Sequence, residues 1–158
     1  MTPSTADEEA AFLQALGSLV VTFSHLEESL GDAIYLAAGG TGPVVSILTS
    51  GVSFNNLVKK FGMICVSVVP SLGTHSEIRE LCAALNAANE TRNRLIHSVW
   101  SSTGPAGHPR THKMSADQKA GLRMNVRDIP VDEIRQAIGI LVQLDAKVWE
   151  VVLSRSAS

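Results

Sequence analysis

The sequence predicts an all-α fold, a bundle of four to five helices with a small β-hairpin or arm inserted before the last helix. Three observations carry this prediction. Apolar residues recur at three- and four-residue intervals along the long segments. Hydrophobic residues make up 45% of the chain, enough for a sizeable core, while aromatics make up 4%, which leaves that core to the small aliphatics that pack between helices. A length of 158 residues fits one domain, with 1–6 and 154–158 as flexible tails and 98–127 as the inserted arm.

The first helix runs from about Asp7 to Ala38, with Phe12, Leu16, Leu19, Phe23, Leu26, Leu30 and Ile34 on one stripe. Thr5 ahead of Asp7, Glu8 and Glu9 caps its start, and Gly39-Gly40 ends it. Pro43 opens a short helix through Leu48, closed by Ser50-Gly51. A third begins at Ser53, carries Phe54, Leu57, Val58, Phe61, Ile64, Cys65 and Val68, and stops before Pro70. The next spans about Thr74 to His97. Beyond it, Ser98 to Ser101 and Leu122 to Val126 alternate at period two around a Gly-, Pro- and Ser-rich stretch, which predicts the hairpin. The last helix begins near Val131 and carries Ile134, Ile138, Leu141, Leu144, Val148 and Val151.

The composition excludes several classes. A charge of −2 and a pI near 6.2 are wrong for a protein that coats nucleic acid over its whole surface. Cys65 and Cys82 are too few and too far apart for a zinc site of their own or a disulfide framework, and read as buried and reduced in a cytoplasmic protein. The acidic, polar N-terminus has no basic leader region, and no run approaches the ~18 apolar residues of a spanning helix, so no membrane is expected. No metal-ligand pattern links the histidines, Gly39-Gly40-Thr41-Gly42 lacks the lysine of a phosphate loop, and no cofactor is expected.

The helix ending at His97 is the unusual one. At about 100° per residue, Ile78, Leu81, Leu85, Ile96 and Val99 project within about 60° of one another, and Arg92 falls in the middle of that sector. Asn86, Asn89, Asn93 and His97 form a polar stripe beside it. In the first helix Glu27 sits inside the apolar stripe, which makes it the natural partner of Arg92. The plain alternative is a buried ion pair that fixes packing, with His97 as a helix-end residue.

The string Asn89-Glu90-Thr91-Arg92-Asn93-Arg94-Leu95-Ile96-His97 resembles the signature of the HEPN superfamily, an Arg followed by a polar residue and, after a short spacer, by His. Leu95 to Trp100, the Phe23 to Leu30 pattern and the Ser53 to Leu57 helix start are also similar to small bacterial members. The resemblance implies a HEPN-like bundle over nearly the whole chain and a homodimer that brings two motifs to one cleft. It implies a metal-independent endoribonuclease, with His97 as general acid/base, Arg92 as phosphate clamp and Asn93 orienting the site. Such proteins serve as toxins or phage-defence components, often neutralised by an antitoxin such as a small nucleotidyltransferase. Two other readings stand beside this one: a non-catalytic module of the same fold that binds nucleotide, RNA or a protein, and a structural helical dimerisation domain.

Glu27 and Asn89 are expected to support the motif, and Arg94, Trp100, Arg110, Lys113 and Arg123 to contact RNA. Between Arg92 and Arg127 seven basic residues face Asp117 alone, a net charge of +6, which leaves −8 for the rest of the chain. A positive arm next to the motif suits a phosphate backbone, although polar loops also collect Lys and Arg for solubility. Trp100 either stacks on a base or covers the core.

Overall fold

In a computed structural model that describes residues 5–40, 43–68, 75–101, 110–117 and 121–153, the chain forms helices α1 (Thr5–Ala37), α2 (Pro43–Thr49), α3 (Phe54–Val68), α4 (His75–Ile96) and α5 (Val131–Leu153). Three strands, β1 (Val99–Ser101), β2 (Arg110–Asp117) and β3 (Gly121–Asp128), precede α5. The fold is therefore mostly helical with one small antiparallel sheet, ordered β1-β2-β3. Residues 1–4 and 154–158 of the expected tails lie outside the described residues, and helix rather than tail occupies Thr5 and Ala6.

The helix boundaries follow from local chemistry. At the end of α1, Gly39 N–H donates to the Leu36 carbonyl and Gly40 N–H to the Tyr35 carbonyl, a Schellman pair. It requires Gly39 at φ 100°, a conformation that costs a side chain dearly. The Tyr35 hydroxyl then donates to the Gly40 carbonyl at 2.6 Å. Pro43 opens α2, where its missing N–H would have had no helical partner. Ser53 caps α3 with its carbonyl, which accepts from Asn56 and Leu57.

The chain divides into two compact units, with boundaries after Val21, Asn89 and Gly139. Residues of α1, α4 and α5 contribute to both units.

In the unit made of the first half of α1, the end of α4, the sheet and the start of α5, the core holds Phe12, Leu19, Leu95, Ile129 and Ile134. Trp100 lies on Phe12 with ring centroids 4.6 Å apart. In the other unit the second half of α1, α3, most of α4 and the second half of α5 bury Leu26, Leu30, Phe61, Leu85 and Val148, each no more than 0% exposed. Phe23 meets Phe54 there at 4.7 Å.

Two expectations are corrected, and a third point concerns α1. The hairpin joins β2 to β3, with β2 arising inside the stretch read as a loop; β1 pairs only with the first residues of β2, from Val99↔His112 to Ser101↔Arg110. Leu95, not Ile96, is the buried residue at the end of α4, and Val99 is 70% exposed because the helix has already ended and strand alternation sends Trp100 inward instead. Averaged over 18 residues, α1 reaches a hydropathy of 1.2, so by length and composition it could cross a membrane, even though no uninterrupted apolar run is present. Its most buried residues lie on one stripe, Leu19, Phe23, Leu26 and Leu30, as in a helix packed on a core.

Cys65 is buried, Cys82 is half-buried, and neither forms a disulfide. A Cβ at Gly62 would stand 2.9 Å from the Cys82 sulfur, so α3 and α4 approach closely at this point. Gly62→Ala is expected to lose about 1–3 kcal/mol in urea denaturation, and Gly62→Ala/Cys82→Ala to recover most of it. A double variant no more stable than the single one would show that this contact does not set the spacing.

Burial first, and the neighbouring Cys82 second, push the Cys65 thiol from its ordinary 9.0 up to about 11. Below pH 9 both folded and unfolded chains keep the proton and the stabilisation is complete. Between pH 9 and 11 the unfolded chain ionises first, so stability falls by about 2 kcal/mol across that window. Denaturation midpoints measured from pH 8 to 11 should fall, and fall less in Cys65→Ala.

Candidate functional site

The motif sits at the C-terminal end of α4, where helix carbonyls need new donors. Ser98 Oγ donates to the Arg94 carbonyl, Trp100 Nε1 donates to the Leu95 carbonyl at 2.9 Å, and His97 N–H closes the last turn on the Asn93 carbonyl at 3.1 Å. Ser98 is buried, and the Trp100 ring is held on Phe12, so the helix end is fixed to the core by residues immediately after the motif.

On this fixed end Arg92, Asn93 and His97 come together. Arg92 Nη1 donates to Asn93 Oδ1 at 2.9 Å and approaches His97 Nε2 at 3.4 Å. A guanidinium carries only donors, so in this contact Nε2 offers its lone pair and the ring proton belongs on Nδ1. Arg92 and Asn93 are half-buried and His97 is exposed. The arrangement presents a cation and a basic ring nitrogen side by side, with an amide holding the cation in place.

The other candidates divide. Arg94 Nη2 stands 3.5 Å from Glu133 Oε1, while Arg127 Nη2 meets Glu133 Oε2 at 2.9 Å. Arg110 grips Asp128 in a fork, Nε to Oδ1 at 2.7 Å and Nη2 to Oδ2 at 3.2 Å. That hydrogen bond raises the Arg110 guanidinium above its ordinary range. Trp100 contacts Phe12 and spends its N–H on α4, the position of a residue that covers the core. Lys113 and Arg123 lie in β2 and β3, opposite Asn125 and Ser115, and their side chains lie outside the described residues. Lys119 and His108 are also outside them.

Glu27 and Asn89 belong to the other unit. Glu27 lines an open cleft of about 670 Å³ with Glu28, Asp32 and Tyr35, a wall whose acidity suits a phosphate chain poorly. Asn89 is 7% exposed, and its Nδ2 donates to Asn55 Oδ1 at 2.7 Å. The polar stripe is thus three different environments: Asn86 in solvent, Asn89 tied to α3, and Asn93 turned to Arg92.

Glu133, Asp128 and Asn55 were not singled out by sequence reasoning. Glu133 and Asp128 lie just past Arg127, where the charge count stops, and acids in the first turn of α5 were the available signal. Among the described residues no group of three His, Cys, Asp or Glu side chains could hold a metal ion. Compared with protein-family models, with curated proteins and with solved structures, the chain matches none of them.

Asn55→Ala removes the acceptor of a buried amide and is expected to cost about 1–3 kcal/mol in thermal or urea unfolding. Asn55→Asp, which keeps an acceptor, should cost less. Equal losses for the two would mean that the Asn89 amide is not what the pairing satisfies.

Proposed function

We propose that the protein is a metal-independent endoribonuclease with a HEPN-like fold, acting as a cytoplasmic homodimer, in which Arg92, Asn93 and His97 carry the chemistry. The single observation behind this reading is the contact of the Arg92 guanidinium with both the Asn93 amide oxygen and His97 Nε2 at an exposed helix end. RNA brings its own nucleophile. His97 Nε2 takes the proton of a ribose 2′-OH, and the 2′-oxygen attacks the adjacent phosphorus. Arg92 neutralises the phosphorane oxygens as the P–O5′ bond breaks, and the departing O5′ takes a proton from an imidazolium. The products are a 2′,3′-cyclic phosphate and a 5′-hydroxyl, and every proton and bond is accounted for without a metal.

A dimer suits this chemistry because two copies supply one histidine as base and another as acid. It is supported by exposed apolar residues in the motif's own unit: Leu13 and Val20, seven positions apart on one face of α1, are 60% and 40% exposed. The biological role we assign is a toxin or phage-defence component, held in check by a companion antitoxin.

His97→Ala and Arg92→Ala should each slow cleavage of total RNA by at least about 100-fold and relieve growth inhibition on expression. EDTA should leave the wild-type rate unchanged. Equal degradation by wild type and both variants refutes the nuclease.

A further inference from the structure

We propose that Arg94 and Arg127 form a phosphate-binding position that the Glu133 carboxylate occupies while no ligand is bound. The three residues come from separate elements: the end of α4, β3 and the first turn of α5. The two guanidiniums take different oxygens of one carboxylate, Arg94 on Oε1 at 3.5 Å and Arg127 on Oε2 at 2.9 Å. Two cations converging on one pair of oxygens make the geometry that a phosphate group fills, and the guanidinium fork matches phosphate as well as carboxylate.

Exposure makes the carboxylate replaceable. The side chains of Arg94, Arg127 and Glu133 are 44%, 51% and 24% exposed. Ion pairs in that setting are screened and hold weakly. Arg94 stands at the outer limit of a hydrogen bond, so its fork is engaged only loosely. The nearby acids are satisfied within their own pairs, Asp128 with Arg110 at 2.7 Å and Asp132 with Arg135 at 2.9 Å. The balance at the cluster is therefore set by two arginines against one glutamate.

The position is distinct from the motif. Arg92 and Arg94 are two residues apart, so at about 100° per residue they project about 200° apart around α4. The inference rests on the ribonuclease reading only for the expectation that the phosphate belongs to an RNA strand. Glu133 then acts as a resident competitor, and removing its charge should strengthen binding.

The test measures binding, not cleavage, with a fluorescent 2′-O-methyl RNA 12-mer that lacks the nucleophilic hydroxyl and so stays intact. Glu133→Gln should tighten RNA binding about fivefold and steepen the salt dependence by about 0.7, the value of one added phosphate contact on a single strand. Adding Arg94→Gln should reverse both changes. Titration with AMP separates the sources: tightening for AMP but not RNA assigns the position to free phosphate monoesters and detaches it from the strand. No change for either probe overturns the proposal. Because Glu133 joins three elements, Arg94→Gln alone is the second variant. It leaves the Arg127 pair in place and should weaken RNA binding at least twofold, and unchanged affinity for both RNA and AMP overturns the proposal whatever Glu133→Gln does. Intact RNA cleavage with flat binding in these variants refutes this position and leaves the nuclease standing. Tighter binding without any cleavage does the reverse.

Discussion

The termination of α4 is the constraint on which the motif's unit depends. A helix end exposes carbonyls that must find donors, and here Ser98 and Trp100, both just past the last turn, supply them to Arg94 and Leu95. The same two contacts do more than satisfy polar atoms. They turn the chain from helix to strand within a few residues, place Trp100 on Phe12, and start β1 in register with β2. Because Leu95 is fully buried and its carbonyl is tied to the indole, the helix cannot unwind by a turn without losing core packing. His97 is thereby held between two anchored neighbours while its own ring stays in solvent. A rigid backbone carrying an exposed imidazole is what a proton-transfer group needs, since its reach is fixed and its access is open.

Charge in this protein is organised locally rather than by segment. The excess of basic residues from Arg92 to Arg127 looks like an uncommitted positive arm when counted along the chain. In space two of those arginines converge on Glu133 and a third on Asp128, acids that lie immediately beyond the counted stretch. The pairing of Arg110 with Asp128 is also a register contact, since the two residues are opposite one another across β2 and β3. Arg110 and Arg127 in this sheet are thus used first to hold strands and helix together. Any anionic ligand has to compete with carboxylates already present.

Much of the helical architecture was legible because each helix carries both a periodic stripe and a chemical stop. Gly39-Gly40, Pro43, Ser53 and the acids before Ile134 mark boundaries that the structure meets within one or two residues. The strand β2 was not legible, and the reason is visible in its register. Residues Arg110 to His112 are hydrogen-bonded on both sides, by β1 and by β3, so backbone pairing compensates for a polar sequence with only Thr111 buried. The misplacing of Val99 has a different origin: a projection at constant angle runs past Ile96, where the helix ends. Glu133 was missed because a carboxylate that joins two arginines from distant segments leaves no pattern along the chain.

The candidate site was legible as a set of residues, and the structure adds what a spacing rule cannot express. Arg92 and His97 are five positions apart, which on an unbroken helix would place them about 140° apart. They meet at 3.4 Å because the helix stops at Ile96 and the chain turns at His97. The spacing and the helix end are therefore one device: neither would bring a guanidinium to an imidazole without the other. A residue kept only to fix packing has no need of this arrangement, since a cation beside a basic nitrogen adds little to stability when both are partly in water. Two of the acceptors it meets here, an amide oxygen and a ring nitrogen, carry no charge of their own. An anion brought between Arg92 and His97 would meet a cation on one side and, once the imidazole has taken a proton, a second cation on the other. That is the sequence of charges a phosphodiester passing through a phosphorane requires.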